Sequence, residues 1–181
     1  GFSVQAAALL APGDVSFTLL HTNDYHGQLE NKVGSSSNPG AARVANVIQT
    51  IRTAKEGLGQ DVLLFDAGDM MQGSLLSNIY KGEPVIDYYK LIGYDAVTFG
   101  NHEFDWGQAT LTDRAVQAAD TTDPTEKAFP LLAANLTTKV GGSCDGWDSA
   151  VLTNGTDSYT VEPYTIIEVG PADNHVQIGV D

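Results

Sequence analysis

Ala96-Val97-Thr98-Phe99-Gly100-Asn101-His102-Glu103-Phe104-Asp105 is the stretch that decides the fold. A short apolar run ends in a polar cluster opened by glycine. The same grammar occurs twice upstream. Phe17-Thr18-Leu19-Leu20 leads to Asn23-Asp24-Tyr25-His26, and Val62-Leu63-Leu64-Phe65 leads to Asp66-Ala67-Gly68-Asp69. Runs rich in Val, Leu and Phe, closed by Gly and Asp, read as buried strands of an α/β sheet. Residues just past the carboxyl ends of such strands stand where α/β folds build sites.

The segments between these strands are helical. Ala41, Val44, Val47, Ile48 and Ile51 recur at helical spacing after a Gly/Ser/Asn loop at Gly34–Gly40, and that helix ends near Gly57. Leu75, Leu76 and Ile79 suggest a turn or two. A further helix starts with Pro84 in its first turn and stops at Gly93, and another covers Gln108–Ala119. Strands are expected at Ser16–His21, Asp61–Phe65, Ala96–Phe99 and Phe129–Ala134. This order requires crossover helices, right-handed connections and a largely parallel sheet. After Asn135 the pattern changes. Gly141–Ser158 reads as a loop or hairpin insertion, and Tyr159–Val161, Tyr164–Val169 and His175–Val180 read as more antiparallel strands.

Composition narrows the function. The 181 residues suffice for one domain with a core, and 42% hydrophobic content is ordinary for a globular protein. A net charge of −14 repels nucleic-acid backbone and anionic lipid, which argues against a polymer-binding role. A small anionic substrate stays compatible, because bound dications would dominate the field at the site. The single Cys144 excludes an intrachain disulfide and a cysteine-rich zinc site. No stretch reaches the roughly 18 apolar residues of a membrane span. Residues 1–14 read as a flexible lead-in or the remnant of a signal peptide, which favours a secreted, periplasmic or cell-surface location. Asn135-Leu136-Thr137 and Asn154-Gly155-Thr156 match the glycosylation acceptor pattern, which matters only in a eukaryotic host.

The clusters carry the chemistry. Asp24 and His26 face the same way if their segment is extended, and so can ligate one metal. Alone, this pair reads rather as a turn-capping Asp beside a surface His. Asp69 can bridge two cations, the usual clamp for phosphoryl transfer, or cap a helix. Asp66 terminates its strand and more plausibly orders the loop, while Gln72 can hydrogen-bond behind the ligands. Asn101 offers a neutral oxygen ligand. His102 is left free to act on substrate, and Asp105 can orient it and stabilise its protonated form. Glu103 reads as an acceptor for backbone N–H groups. His21 sits among apolar neighbours and reads as a satisfied core histidine or one behind the ligands, and His175 reads as a surface residue. The tryptophans and tyrosines read as packing residues. Three strand ends of this kind point to a metal-dependent hydrolase.

Together these motifs resemble the calcineurin-like metallophosphoesterases. More narrowly, His21 to Glu30 and Gly100 to Asp105 resemble the 5′-nucleotidase family, over about Ser16–Asn135. The resemblance implies an α/β fold of the α-β-β-α sandwich type with a dinuclear metal site at one edge. It implies that Asp24 and His26 bind a first divalent ion such as zinc or manganese, that Asp69 bridges, and that Asn101 binds a second. His102, paired with Asp105, would stabilise the transferring phosphoryl group. Hydroxide generated at the metal pair would attack phosphorus in a nucleotide monoester. Family members complete the shell with later histidines, usually in a Gly-His-x-His segment, and carry a C-terminal nucleoside-binding domain. Neither is found here, so residues 15–181 are expected to be the N-terminal part of a catalytic domain, inactive alone and prone to dimerise through an unpaired sheet edge or face. Alternatives are a 2′,3′-cyclic nucleotide phosphodiesterase or 3′-nucleotidase, a nucleotide-sugar or diphosphate hydrolase, and, from another class, a non-catalytic binding or scaffold domain.

Overall fold

The strand and helix order follows the apolar patterning closely. The computed structural model describes residues 13–31, 38–136, 139–140, 143–144 and 150–181. Most of the expected lead-in, part of the Gly34–Gly40 loop and Trp147 lie outside the described residues. Four strands, β1 (Phe17–Thr22), β2 (Asp61–Asp66), β3 (Ala96–Thr98) and β4 (Leu131–Leu132), form one parallel sheet in the order β1-β2-β3-β4. The register runs Phe17 opposite Asp61 to Thr22 opposite Asp66, then Phe65 opposite Ala96, then Val97 opposite Leu131. Right-handed crossovers between neighbours in this order place every connecting helix on the same face.

Those helices are α1 (Ala41–Glu56), α2 (Leu75–Ile79), α3 (Glu83–Ile92) and α4 (Gly107–Ala119). Proline near its start and left-handed Gly93 at its end bound α3, as the sequence suggests. Its Val85, Ile86 and Tyr89 are fully buried with Leu64, Val97 and Leu131 of the sheet and Leu111, Ala115 and Ala118 of α4. This single apolar layer fixes the helices under the strands and so fixes where the strand ends open into loops.

The opposite sheet face carries the alternate residues. Leu63, Ala96 and Leu132 are buried there, whereas Phe17 and Leu19 on edge strand β1 are 37% and 48% exposed. His21 lies on that same edge and is exposed, so the expected core histidine is corrected. Its apolar sequence neighbours belong to a strand covered on one face only. His21, Phe65, Thr98 and Leu132 line a cavity of about 230 Å³ capped by Val180.

After β4 the chain turns to antiparallel pairs: β5 (Lys139–Val140) with β6 (Ser143–Cys144), β7 (Val151–Thr153) with β8 (Ser158–Thr160), and β9 (Thr165–Val169) with β10 (Val176–Val180). β4 is shorter than its apolar run. Pro130 precedes it, and Ala133 leaves the β3 ladder to donate its N–H to Glu162, 3.1 Å away. Asn154 is built into the β7–β8 turn. Its Oδ1 accepts from Thr156 N at 2.8 Å and its Nδ2 donates to Asp113 at 2.6 Å.

Candidate metal centre

Two loops leaving β1 and β2 are laced together by their backbones. Ala67 N donates to Thr22 O at 2.9 Å, Asp24 N to Gly68 O at 3.0 Å, His26 N to Asp69 O at 2.9 Å and Gly27 N to Met70 O at 2.9 Å. The lacing does not leave the segment extended, as the Asp24–His26 spacing suggests. Asp24, His26 and Asp69 all adopt left-handed backbone, with φ of 51°, 48° and 55°. Among the described non-glycine residues only Lys81 joins them. A left-handed L-residue costs roughly 1–2 kcal/mol, and such strain persists where surrounding bonds over-determine it. Here the backbone ladder supplies those bonds. The three side chains therefore share a face because of backbone strain, not strand alternation.

Their ligand atoms converge. One carboxylate oxygen each from Asp24 and Asp69 and one ring nitrogen of His26 lie within 4.8 Å of one another. His26 Nε2 stands 3.9 Å from Asp24 Oδ1. His26 Nδ1 lies 2.7 Å from the Gln72 carbonyl. A carbonyl only accepts, so Nδ1 carries the proton and Nε2 presents its lone pair. Gln72 thus acts through its main chain, a contribution its side-chain identity does not advertise. Two carboxylates and an oriented imidazole are a donor set suited to zinc, manganese or a similar dication, and the imidazole is held from behind as metal-bound histidines are.

The third loop, after β3, closes over Asp69. His102 N donates to Asp69 Oδ1 at 2.9 Å. Asn101 is exposed and immediately precedes the short 3-10 turn His102–Phe104; its side chain makes no capping bond there. The His102 ring stands edge-on to His26, centroids 5.2 Å apart. His102 Nδ1 is 2.7 Å from Asp105 Oδ2. A carboxylate only accepts, so this nitrogen too is protonated and Nε2 is left for other work. The Asp105 hydrogen bond, with the Asp105, Asp69 and Glu103 charges behind it, raises the His102 pKa above the ordinary value.

Two buried carboxylates hold the loops. Asp66 Oδ1 accepts from Gly68 N at 2.9 Å, and its Oδ2 accepts from Thr22 Oγ1 and, at 2.9 Å, from Tyr89 OH. Burial pushes its pKa up to about 6 against these bonds. Glu103 accepts from four backbone N–H groups. Tyr25, between the two left-handed residues, stacks on Tyr88 with centroids 5.7 Å apart and anchors the strained loop in the core. Reading the tyrosines as packing residues misses that one of them sits between two ligand candidates.

The calcineurin-like phosphoesterase family model matches residues 17–168. The chain belongs to the calcineurin-like phosphoesterases. The 5′-nucleotidase of Gloydius brevicauda venom is 36% identical over 172 residues, covering 91% of this chain and 25% of that protein. The human 5′-nucleotidase is 37% identical over 137 residues, covering 71% of this chain and 22% of that protein. The crystal structure of a 5′-nucleotidase precursor from Thermus thermophilus superposes with a TM-score of 0.61 at 28% identity. It covers 85% of this chain and 26% of that one. The chain thus spans about a quarter of the length of these relatives, and its parallel sheet with added antiparallel strands is the metallophosphoesterase fold.

Proposed function

We propose that the complete protein hydrolyses phosphate monoesters of nucleotides with two divalent cations. The observation that carries this reading is the convergence of Asp24, His26 and Asp69 within 4.8 Å, beside the His102–Asp105 pair. Asp24 and His26 would hold one ion, Asp69 would lie between both, and Asn101 would hold the second. Bound dications supply Lewis-acid charge and a nucleophilic water at phosphorus. The chain's own residues do the rest. Asp105 fixes the His102 proton on Nδ1 and favours the imidazolium. Its Nε2–H is then a donor for phosphoryl oxygens as charge develops on them. Glu103 and Asp66 hold the loops so that no donor moves during the reaction.

A nucleotide is the substrate class supported by the 5′-nucleotidase relatives. Among the described residues no helix is long and apolar enough to cross a membrane. Export is proposed with the nucleotidase reading, since one relative is named from venom. In the complete protein, Asn101→Ala is expected to lower manganese-dependent release of phosphate from adenosine 5′-monophosphate by about 10²-fold or more, since losing a direct ion ligand should cost at least as much as losing a partner behind one. Near wild-type turnover in that variant would remove Asn101 from the site. A wild-type protein that releases phosphate equally well in excess chelator would sink the metal reading altogether.

A further inference from the structure

The geometry points to Glu103 as the positioning residue that sets the spacing between the Asp69 loop and the Asn101–His102 loop, and so the spacing between the two ion positions. The inference rests on the metal-centre reading above. Glu103 is 1% exposed, yet it carries a carboxylate into the core, and among the described residues no ion pair is made to it. Its partners among the described residues are all backbone donors. Oε2 accepts from Asp69 N at 2.8 Å and from Gly100 N at 2.7 Å. Oε1 accepts from Met70 N at 2.9 Å and Met71 N at 3.3 Å.

Glu103, itself in the loop after β3, therefore ties that loop to the loop after β2 through the Asp69, Met70 and Met71 amides, and to its own start through Gly100. The joint is reinforced in reverse by His102 N on Asp69 Oδ1. The loops cannot separate without breaking it. Gly68 and Gly100 meet so tightly that a Cβ on Gly68 would overlap Gly100 N, and one on Gly100 would overlap the Asp69 carboxylate. The contact sets the lower limit of the spacing and Glu103 sets the upper one. Four backbone N–H groups converge on the carboxylate and occupy both of its oxygens.

This separates Glu103 from an ordinary core residue. A backbone N–H cannot turn round to accept. In Glu103→Gln the shape is kept, but the amide NH2 must face either the Asp69 and Gly100 donors or the Met70 and Met71 donors. One pair is left facing a donor. The expected result is a folded protein whose ions bind about 10–100-fold more weakly, the scale for partners behind metal ligands.

The test is manganese calorimetry on the complete wild-type and Glu103→Gln proteins, with melting in chelator as the check on folding. Weaker binding with a folded apo state supports the inference, and equal binding overturns it. Wild type that binds no manganese overturns the metal-centre reading and this inference with it. If Glu103→Gln does not fold, amide exchange of the wild type decides. Asp69, Met70 and Met71 all donate across the joint to Glu103 and open together when the loops part, with manganese slowing all three. Independent opening, or slowing of Asp69 alone, overturns the joint.

Discussion

Asp66 and Glu103 are both buried carboxylates beneath the site, and their partners make them behave differently. Asp66 is served by one backbone N–H and two hydroxyls, from Thr22 and Tyr89. Hydroxyls can rotate to accept, so Asp66→Asn can be satisfied without rearrangement. It also removes a group whose pKa burial raises from 3.8 to about 6. An acid with a raised folded pKa binds its proton more tightly in the native state. Its contribution is therefore most favourable below pH 4 and is lost as pH rises to about 6, at a cost of roughly 3 kcal/mol once the window is crossed. Melting temperatures of wild type and Asp66→Asn between pH 4 and 7 are expected to diverge, with the variant gaining relative stability as pH rises. Parallel curves would show that Asp66 stays ionised throughout. Neither carboxylate's exact service is written in its residue type. What the sequence does show is an acid at a strand end and another inside a Gly-Asn-His-Glu run, and loop ordering is a sound reading of both.

At the level of loops and strands, three crossings make the site, and the tightest is where the loops after β2 and β3 touch. Gly68 has φ of 97°, and a Cβ there would meet the Gly100 backbone. Gly68→Ala thus adds left-handed strand-end strain to a backbone overlap, for roughly 2–5 kcal/mol of lost stability. Thermal or urea melting reads this directly; a loss under about 0.5 kcal/mol would mean that the loops can part freely. The elements themselves were legible. Apolar runs marked β1, β2 and β3 to within a residue or two, and Pro84 and Gly93 bracketed α3. Two things were not legible. Alternation along β1 could not show that Asp24 and His26 leave the extended region, because left-handed backbone at a non-glycine residue is imposed by the neighbouring loop. Nor could it show that His21 is exposed, because which strand lies at the edge is settled only when the sheet assembles.

For the whole molecule the question is how many ligands one chain can bring to the two proposed ions. Asp24, His26, Asp69 and Asn101 are the four donor residues proposed. Zinc alone takes about four ligands, and two ions sharing only Asp69 need more than these residues provide. Ion affinity rises with each protein donor added, so the missing donors decide whether binding is measurable. The 181 residues alone are expected to bind manganese only above about the millimolar range, and the complete protein is expected to bind far more tightly. Because ions bind the folded state and not the unfolded one, the difference appears as stability. At a hundred times the dissociation constant the gain is about 2.7 kcal/mol, and near or below the constant it almost vanishes. Micromolar manganese should therefore raise the melting temperature of the complete protein and leave that of residues 1–181 unchanged. Asp24→Asn and Asp69→Asn should abolish the rise in the complete protein, since each removes a charge from the converging set. A rise of equal size in the isolated 181 residues would mean that the shell closes within this chain, and that donors beyond the four remain to be found on its own surface.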